Sequence, residues 1–375
     1  MSEDWDVVVA GAGIVGAACA KECAARGLRT AIVEAGEIGG GATAAGMGHI
    51  VVMDDSPAQL ALTSYSQGLW RKLADRLPAG VEYESRGTLW VASDEEEMRE
   101  VHRKRALYAT AGIASEVLDG HALAEAEPHL SPTLAGALLV PSDGVLYPPC
   151  AAEYLVREAV RLGSRLYSRR KVVSAGAGAV RLNDGTELRA RRIINALGSE
   201  ATTLLPDLPI RKRKGHLVIT DRYPGFVHHQ LVELGYLKSA HSIATDSVAF
   251  NIQPRQTGQV LLGSSRQFGA EDRTVDYAMV TAMIERARAF MPEIGTLSAI
   301  RIWTGFRAAT PDKLPLIGPW PDDPTLFLAA GHEGLGITTS LGTAQLLVDH
   351  LLGAETKISI DPYLPERFVR SEAHA

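Results

Sequence analysis

The sequence contains only three cysteines among its 375 residues, Cys19, Cys23 and Cys150. Their odd number and their spacing fit neither a disulfide framework nor a four-ligand zinc site, so no metal is expected and a reducing compartment is favoured. The chain also lacks an apolar run of about 18 residues. Its acidic N-terminus has no basic flank of the kind that signal peptides carry. The sequence therefore predicts a cytoplasmic protein without a transmembrane segment.

Positive charge is not in excess. The chain has 38 Lys and Arg against 44 Asp and Glu, which gives a formal net charge of -6. Binding to phosphate backbones requires clustered Lys and Arg, and the two short basic runs, 165–171 and 211–214, are typical of a solvated surface. No nucleic-acid partner is predicted.

Hydrophobic residues make up 46% of the chain, enough for a large core and, at this length, for two domains. Residues 5–10 form an apolar run that predicts a parallel strand buried on both faces. The Ala-rich segment 14–26 has the composition of a helix, and residues 30–34 predict a second buried strand. This order is one βαβ unit of a Rossmann-type α/β domain.

The turn between the first strand and the helix carries Gly11, Gly13 and Gly16 in the spacing G-x-G-x-x-G, and Glu34 ends the second strand. Gly11 permits a tight turn, Gly13 allows a pyrophosphate to approach the backbone, and Gly16 allows close packing of helix and strand. The helix N-terminus attracts phosphate, and Glu34 can accept hydrogen bonds from ribose hydroxyls. The motif predicts a dinucleotide site, although it does not separate a nicotinamide from a flavin dinucleotide.

The middle of the chain differs in character. Alternating apolar residues predict strands that do not follow the βαβ pattern, interleaved with amphipathic helices. The predicted strands are 85–93, 135–140, two within 248–265, and 297–306, and the helices are 94–110 and 274–291. We interpret these segments as a second domain inserted into the first. The last strand, 326–330, and the helix 337–352 return to the strand, glycine turn and helix pattern.

Five motifs, spread over essentially the whole chain, resemble those of the FAD-dependent D-amino-acid oxidase superfamily, in its branch of glycine oxidases, sarcosine oxidases and D-amino-acid dehydrogenases. They are GAGIVG at 11–16, GGATAAGM at 40–47, NALG at 195–198, GFR at 305–307 and GHEGLG at 331–336. The resemblance implies an α/β protein with a discontinuous Rossmann-type FAD-binding domain, residues 1–84, 146–215 and 305–375. It also implies an inserted α+β substrate domain built on a mixed or antiparallel sheet, residues 85–145 and 216–304.

The same resemblance implies FAD as the cofactor and assigns residues to it. Non-covalent binding is expected because no cysteine follows Cys150. The βαβ unit supplies Gly11, Gly13, Ile14, Val15, Gly16, Glu34 and Ala35, and the next loop supplies Thr43, Ala44, Ala45, Gly46 and Met47. The backbone of Val172 or Val173 is expected at the adenine, and Ala196 and Gly198 against the dinucleotide. The amides of Gly334, Leu335, Gly336, Ile337 and Thr338 are expected at the flavin pyrimidine ring. For each glycine turn, a purely structural role remains the alternative.

Three residues are assigned to the substrate. Arg307 is expected to hold an α-carboxylate through two hydrogen bonds and so to aim the substrate Cα hydrogen at flavin N5. Asn251 stands where glycine oxidases have a tyrosine, and their second arginine is missing around Glu333. The sequence at His49 is closer to that of D-hydroxyproline dehydrogenases and oxidases, so His49 either approaches flavin or substrate or is only structural.

These assignments predict oxidation of the carbon–nitrogen bond of a small amino or imino acid by hydride transfer to flavin N5. A cyclic D-imino acid such as cis-4-hydroxy-D-proline or D-proline is the preferred substrate, with oxygen or another acceptor reoxidising the flavin. The alternatives are a glycine or sarcosine type of oxidase and a flavin-binding subunit of a larger dehydrogenase. A nicotinamide-dependent dehydrogenase would leave Arg307 and the terminal glycine loop without a role. A homo-oligomer or a complex with other subunits is left open.

Overall fold

The computed structural model describes residues 4–235 and 246–368. Its described strands form two eight-stranded sheets and one short two-stranded ribbon. The α/β fold predicted from the sequence is confirmed, including the first βαβ unit, since β1 (Asp4–Ala10), α1 (Ile14–Ala25) and β2 (Thr30–Glu34) follow the predicted order. β1 is buried on both sides, with Val7 and Val9 in one core and Val8 in another.

The first sheet contains a parallel layer of the Rossmann type. β1 lies between β2 and β11 and pairs in parallel with both, β2 pairs in parallel with β8, and β11 pairs in parallel with β18. The remaining strands of this sheet are β8 (Arg165–Ser168), β9 (Val172–Gly176), β10 (Ala179–Leu182), β11 (Glu187–Asn195), β17 (Leu316–Trp320) and β18 (Asp323–Ala330). β9 and β10 form a hairpin, β10 pairs antiparallel with β11, and β17 pairs antiparallel with β18.

Helices of the first sheet share one hydrophobic core. They are α1, α3 (Pro57–Leu73), α6 (Pro148–Arg161) and α8 (Gly336–Leu351). α3 stops at Leu73, where residues 74–76 tighten into a 3₁₀ turn. Two short elements, α2 (Gly41–Ala44) and β3 (His49–Ile50), connect this layer to the second sheet, and β3 pairs with β7 (Gly144–Val145).

The second sheet is mixed, in the order β16-β12-β15-β14-β13-β4-β6-β5. Only β13 and β4 pair in parallel among its described strands. The strands are β4 (Thr88–Ala92), β5 (Glu116–Asp119), β6 (Gly136–Val140), β12 (Arg211–Arg222), β13 (Gln230–Glu233), β14 (Ser247–Pro254), β15 (Gln259–Phe268) and β16 (Ala299–Ala309). One face packs on α5 (Gly120–Ala126) and α7 (Tyr277–Phe290), and α4 (Glu95–Thr110) covers the β4 end of the other face.

β12 and β16 pass without interruption from one proposed domain to the other. The boundaries that we expected after residues 215 and 304 fall inside these two strands, where Gly215 is paired with Gly305. Within residues 4–235 and 246–368, no helix combines the length and apolar character needed to cross a membrane.

Candidate active site

A cavity of about 820 Å³ is lined by residues of both sheets and of the loops between them. This volume falls within the range of roughly 300–1,000 Å³ that is usual for small-molecule and cofactor sites. At one end its wall includes Glu34, Ala35 and Val172 of the first sheet, and at the other it includes Trp90 and Asn251 of the second sheet. The cavity therefore has the extent to hold a dinucleotide and a small ligand together.

Two glycines of the turn have different roles: Gly16 allows close packing of the helix, and Gly13 leaves the backbone accessible from the cavity. Gly11 has a positive φ of 100°, and a Cβ on Gly16 would lie 2.1 Å from the carbonyl oxygen of Gly11, so Gly16 lets α1 pack directly on the turn. A Cβ on Gly13 would meet only the Oγ1 of Thr43, at 3.4 Å. Gly13 lines the cavity and Gly16 lies behind the turn. The open backbone at Gly13 and the N-terminus of α1 suit a phosphate.

Two polar side chains bind the backbone of this turn. The carboxylate of Glu34 accepts hydrogen bonds from the amides of Ala12 and Gly36, each at 2.7 Å, and the hydroxyl of Thr43 accepts one from the amide of Ile14 at 3.0 Å. A carboxylate can accept about four hydrogen bonds, so Glu34 retains capacity for ligand hydroxyls. Glu34 thus fixes the turn and faces the cavity at the same time.

The loop after α2 is held against the second sheet and α8 by close contacts at glycines. A Cβ on Gly305 would lie 2.2 Å from the Cβ of Ala45, and one on Gly263 would lie 2.9 Å from the Sδ of Met47. A Cβ on Gly46 would lie 2.7 Å from the Cδ1 of Ile337. Small residues therefore let this loop pass along the cavity between the two sheets.

The loop before α8 is fixed at both ends. The amide of Glu333 donates to the carbonyl of Ala308 at 2.9 Å, which joins the loop to the end of β16. Beyond it, the hydroxyl of Thr338 donates to the carbonyl of His49 at 2.8 Å, and Ser66 donates to the carbonyl of Thr338 at 2.6 Å. The N-terminal turn of α8 is consequently anchored next to the cavity, where its amides carry partial positive charge.

Arg307 lies on β16 and reaches across the sheet. Its Nη1 donates to the carbonyl of Ser265 on β15 at 2.9 Å, and its side chain passes between Gly215 and Gly334. A Cβ on Gly215 would lie 2.6 Å from Nη1. The guanidinium therefore lies flat over β12 on the cavity wall, in a position suited to a carboxylate.

A second arginine, Arg213, stands directly opposite Arg307 in the register of β12 and β16. Its Nη1 donates to the carboxylate of Glu333 at 2.5 Å, and both side chains are largely buried. The guanidinium also lies over the ring of Phe268, 4.5 Å from its centroid. Sequence reasoning missed this pair, because the partners are 120 positions apart and no local pattern connects them.

The far end of the cavity is polar. Asn251, Gln230 and Trp90 line it together with His49. One side-chain atom of each is buried without a hydrogen-bond partner among residues 4–235 and 246–368, namely Asn251 Oδ1, Gln230 Oε1, Trp90 Nε1 and His49 Nε2. Burial lowers the pKa of His49 to about 3, so its imidazole is neutral at neutral pH. Gln230 and Trp90 were not predicted, since each occurs within an ordinary strand pattern.

Most of the residues assigned from the sequence meet at this one cavity. Its wall contains Gly11, Gly13, Ile14, Val15, Glu34, Ala35, Thr43, Ala45, Gly46, Met47, His49, Val172, Ala196, Gly198, Asn251, Arg307, Gly334, Leu335, Gly336 and Ile337. Four assigned residues, Gly16, Ala44, Val173 and Thr338, are not part of the wall. Val173 alternates outward on β9 and is 48% exposed, Ala44 is exposed, and Thr338 turns its hydroxyl toward β3.

One family model spans the dinucleotide site, the small-residue loop and the β16 strand that carries Arg307. The model described as FAD dependent oxidoreductase matches residues 6–350. The chain belongs to this DAO family. FAD is therefore the dinucleotide that its cavity serves, and the resemblance stated from the five motifs is confirmed.

Individual relatives cover nearly the whole chain. It is 30% identical to the glycine oxidase of Geobacillus kaustophilus, over 98% of both chains, and the crystal structure of that enzyme superposes with a TM-score of 0.86, covering 97% of this chain and 98% of the other. It is 27% identical to the hydrogen cyanide synthase subunit HcnC of Pseudomonas aeruginosa, over 98% of this chain and 97% of the relative. The L-proline dehydrogenase of P. horikoshii has the same fold, with a TM-score of 0.87 at 23% identity over 99% of both chains.

Proposed function

We propose that this DAO-family protein oxidises the carbon–nitrogen bond of a small amino or imino acid, with a cyclic D-imino acid such as D-proline or cis-4-hydroxy-D-proline as its preferred substrate. The observation that carries the proposal is the position of Arg307. Its guanidinium is held on the wall of the FAD cavity by the carbonyl of Ser265, beside the loop that begins α8. A cationic fork at this place binds a carboxylate and fixes the attached Cα relative to the cofactor.

Bound FAD supplies the two-electron acceptor at N5 of its ring system. The glycine turn and the N-terminus of α1 would hold the pyrophosphate, Glu34 would accept hydrogen bonds from ribose hydroxyls, and the loop from Thr43 to Met47 would contact the cofactor. Non-covalent attachment is supported by the cysteines, because Cys19 and Cys23 are buried in the core around α1 and Cys150 lies on α6, all three outside the cavity wall.

The protein's own groups bind, orient and desolvate the substrate. Arg307 holds the carboxylate, while Met47, Leu217 and Trp90 supply apolar wall that excludes water from the amine. Oxidation removes a hydride equivalent from Cα and a proton from nitrogen, so the amine must react in its neutral form. The partial positive charge at the N-terminus of α8 would stabilise negative charge on a flavin ring bound beside it.

A glycine or sarcosine type of oxidase is the second candidate. It is favoured by the identity with the Geobacillus kaustophilus glycine oxidase over the full length. Against it stands Asn251, which lies on the cavity wall at the position where the resemblance places a tyrosine in glycine oxidases. The HcnC relative supports a third arrangement, in which the chain works as a subunit of a larger dehydrogenase.

The test is anaerobic reduction of the purified, FAD-loaded protein, followed by the loss of the flavin absorbance band. D-Proline, cis-4-hydroxy-D-proline, L-proline, sarcosine and glycine are added in turn, with dithionite as the control that the flavin can be reduced. We expect the two D-imino acids to bleach the flavin fastest. Fast bleaching by glycine or sarcosine alone supports the second candidate, and no bleaching by any amine contradicts C–N oxidation by this chain.

A further inference from the structure

One face of the second sheet carries the polar end of the cavity. Across the neighbouring strands β4, β13 and β14, Trp90 is paired with Val232, and Val232 with Asn251. Gln230 lies two positions from Val232 on β13 and therefore points to the same side. The opposite face of these strands, including Leu231, belongs to the hydrophobic core against α7. Trp90 and Asn251 thus lie on either side of Val232, and Gln230 is two positions from Val232 on the same face. We call Trp90, Gln230 and Asn251 the polar triad.

The polar triad combines two acceptors with one donor. Gln230 Oε1 and Asn251 Oδ1 are carbonyl oxygens, and Trp90 Nε1 carries a hydrogen. All three atoms are buried and have no hydrogen-bond partner within the described part of the chain, although their residues line the cavity. Gln230 and Trp90 are each 1% exposed. A buried polar atom that makes no hydrogen bond is unfavourable, so these atoms point to a polar ligand.

Contacts with neighbouring residues fix the orientation of the Trp90 and Gln230 side chains. The Nζ of Lys104, on α4, lies 4.5 Å from the centroid of the Trp90 ring, and Lys104 is paired with Asp54. The amide of Gln230 donates to the hydroxyl of Thr88 at 3.2 Å, which directs its carbonyl oxygen away from β4. Fixed donors and acceptors of this kind select a ligand group by its hydrogen-bonding pattern.

A hydroxyl group can serve both kinds of atom, because its one hydrogen can be donated to either carbonyl oxygen, or shared between the two, while its oxygen accepts from Trp90. A second carboxylate would face two carbonyl oxygens with acceptors only, and an ammonium group could not accept from Trp90. The position also fits. Arg307 reaches to Ser265 on β15, and Asn251, Gln230 and Trp90 begin on the next three strands, β14, β13 and β4, so their backbones are one to three strand spacings of about 4.8 Å from β15.

We propose that the polar triad of Trp90, Gln230 and Asn251 recognises a neutral hydroxyl group on the substrate ring, remote from the carboxylate held by Arg307. This inference rests on the proposed function for the placement of the carboxylate. It assigns Gln230 and Asn251 as alternative or shared acceptors of the one hydroxyl hydrogen, and Trp90 as the donor to the hydroxyl oxygen. Because of the triad, the hydroxylated imino acid should be preferred over the imino acid that lacks the hydroxyl group.

The experiment compares ligand pairs that differ by one hydroxyl. Binding to the FAD-loaded protein is measured from flavin absorbance changes with cyclopentanecarboxylate and cis-3-hydroxycyclopentanecarboxylate, which have no amine to oxidise. The ratio of kcat/KM for cis-4-hydroxy-D-proline to that for D-proline is measured in parallel. We expect the hydroxyl to improve binding and kcat/KM on the order of tenfold, the factor typical of one or two neutral hydrogen bonds.

The variants are Gln230→Met and Asn251→Leu, which keep side-chain size and remove the acceptor. Each should lower both ratios severalfold toward one. Gln253→Met is the matched control, because Gln253 lies on β14 two positions from Asn251 and has a buried Oε1 without a hydrogen-bond partner among the described residues, yet lies outside the cavity wall. Both ratios should be unchanged in this control.

The outcomes separate the two proposals. Equal binding of the two cyclopentane acids by the wild-type protein, with ratios unchanged in both triad variants, overturns the inference whatever amine proves to be the substrate. Tighter binding of the hydroxylated acid, lost in the triad variants but kept in Gln253→Met, supports it. Failure of every cyclic amine to reduce the flavin contradicts the proposed function alone, since the binding ratios are measured without turnover.

Discussion

The guanidinium of Arg307 lies over the backbone of Gly215, so that a Cβ at position 215 would be 2.6 Å from Nη1. The contacted atom is the end of a flexible side chain, and Gly215 itself has no positive φ. The variant Gly215→Ala should therefore fold and bind FAD but displace the guanidinium. We expect kcat/KM to fall about 10- to 100-fold, since a misplacement of about 1 Å can have that effect. Steady-state kinetics on FAD-saturated protein provides the measurement.

Gly68→Ala is the matched control for this change. Gly68 lies in α3, and a Cβ there would meet nothing within 4 Å. Replacing a helical glycine by alanine should leave kcat/KM unchanged and stabilise the fold by about 0.5–1 kcal/mol. If Gly215→Ala and Gly68→Ala have the same kinetics as the wild-type protein, Arg307 does not depend on the space above Gly215.

The second and third glycines of the motif, Gly13 and Gly16, should respond differently to alanine. In Gly16→Ala the new Cβ would meet the carbonyl of Gly11 at 2.1 Å, a backbone atom that cannot yield without moving the turn. This variant should be unstable and lose FAD. Gly13→Ala should fold, because its Cβ meets only Thr43 at 3.4 Å, but bind FAD at least about tenfold more weakly by keeping the phosphate from the backbone. Circular dichroism and FAD titration of the apoprotein distinguish these results, and equal behaviour of the two variants would be inconsistent with the assigned roles.

The ion pair of Arg213 and Glu333 should be energetically coupled. Both side chains are largely buried, at 7% and 17% exposure. Removing either partner therefore leaves the charge of the other buried without its counter-charge. Arg213→Met and Glu333→Gln should each destabilise the protein, and the double variant should be less unstable than the sum of the two by roughly 1–3 kcal/mol. Denaturant unfolding at a fixed FAD concentration measures the coupling. Additive effects would show that the pair does not fix the loop before α8.

His332 should contribute to acid sensitivity. Burial lowers its pKa from 6.5 to about 3, and its Nε2 is paired with the hydroxyl of Thr343 at 2.9 Å. Between pH 6.5 and pH 3 the unfolded chain binds a proton at this residue that the folded chain does not, so stability is lost as the pH falls through this window. In His332→Gln the slope of unfolding free energy against pH should decrease by up to about 1.4 kcal/mol per pH unit. Unfolding curves at pH 4.5, 5.25 and 6 give the slope. A slope equal to that of the wild-type protein would show that protonation of His332 does not cause this loss of stability.

The sequence predicted features whose causes are local. The order of β1, α1 and β2 follows from an apolar run, a glycine turn and an Ala-rich segment, each of which has its own period and composition. The glycine spacing likewise locates the turn that Glu34 supports. Family resemblance then added Arg307, which no periodicity would have distinguished from a surface arginine.

Features that depend on strand pairing could not be predicted in the same way. Arg213 and Glu333, or Gln230 and Trp90, become neighbours only when the second sheet is assembled, and a single sequence does not specify that register. Alternation along one strand could have done more. On β9, Val172 is buried and Val173 is exposed. Alternation along this strand could therefore have chosen between the two residues as the candidate contact for the adenine.

The carboxylate affinity of Arg307 is the most direct test of the account. Cyclopentanecarboxylate is titrated into the FAD-loaded wild-type protein and into Arg307→Lys and Arg307→Met, with the change in flavin absorbance as the signal. We expect saturable binding by the wild-type protein, weaker binding by the lysine variant, and at least about 100-fold weaker binding by the methionine variant. The same Kd in all three proteins would contradict the claim that Arg307 holds the substrate beside the flavin.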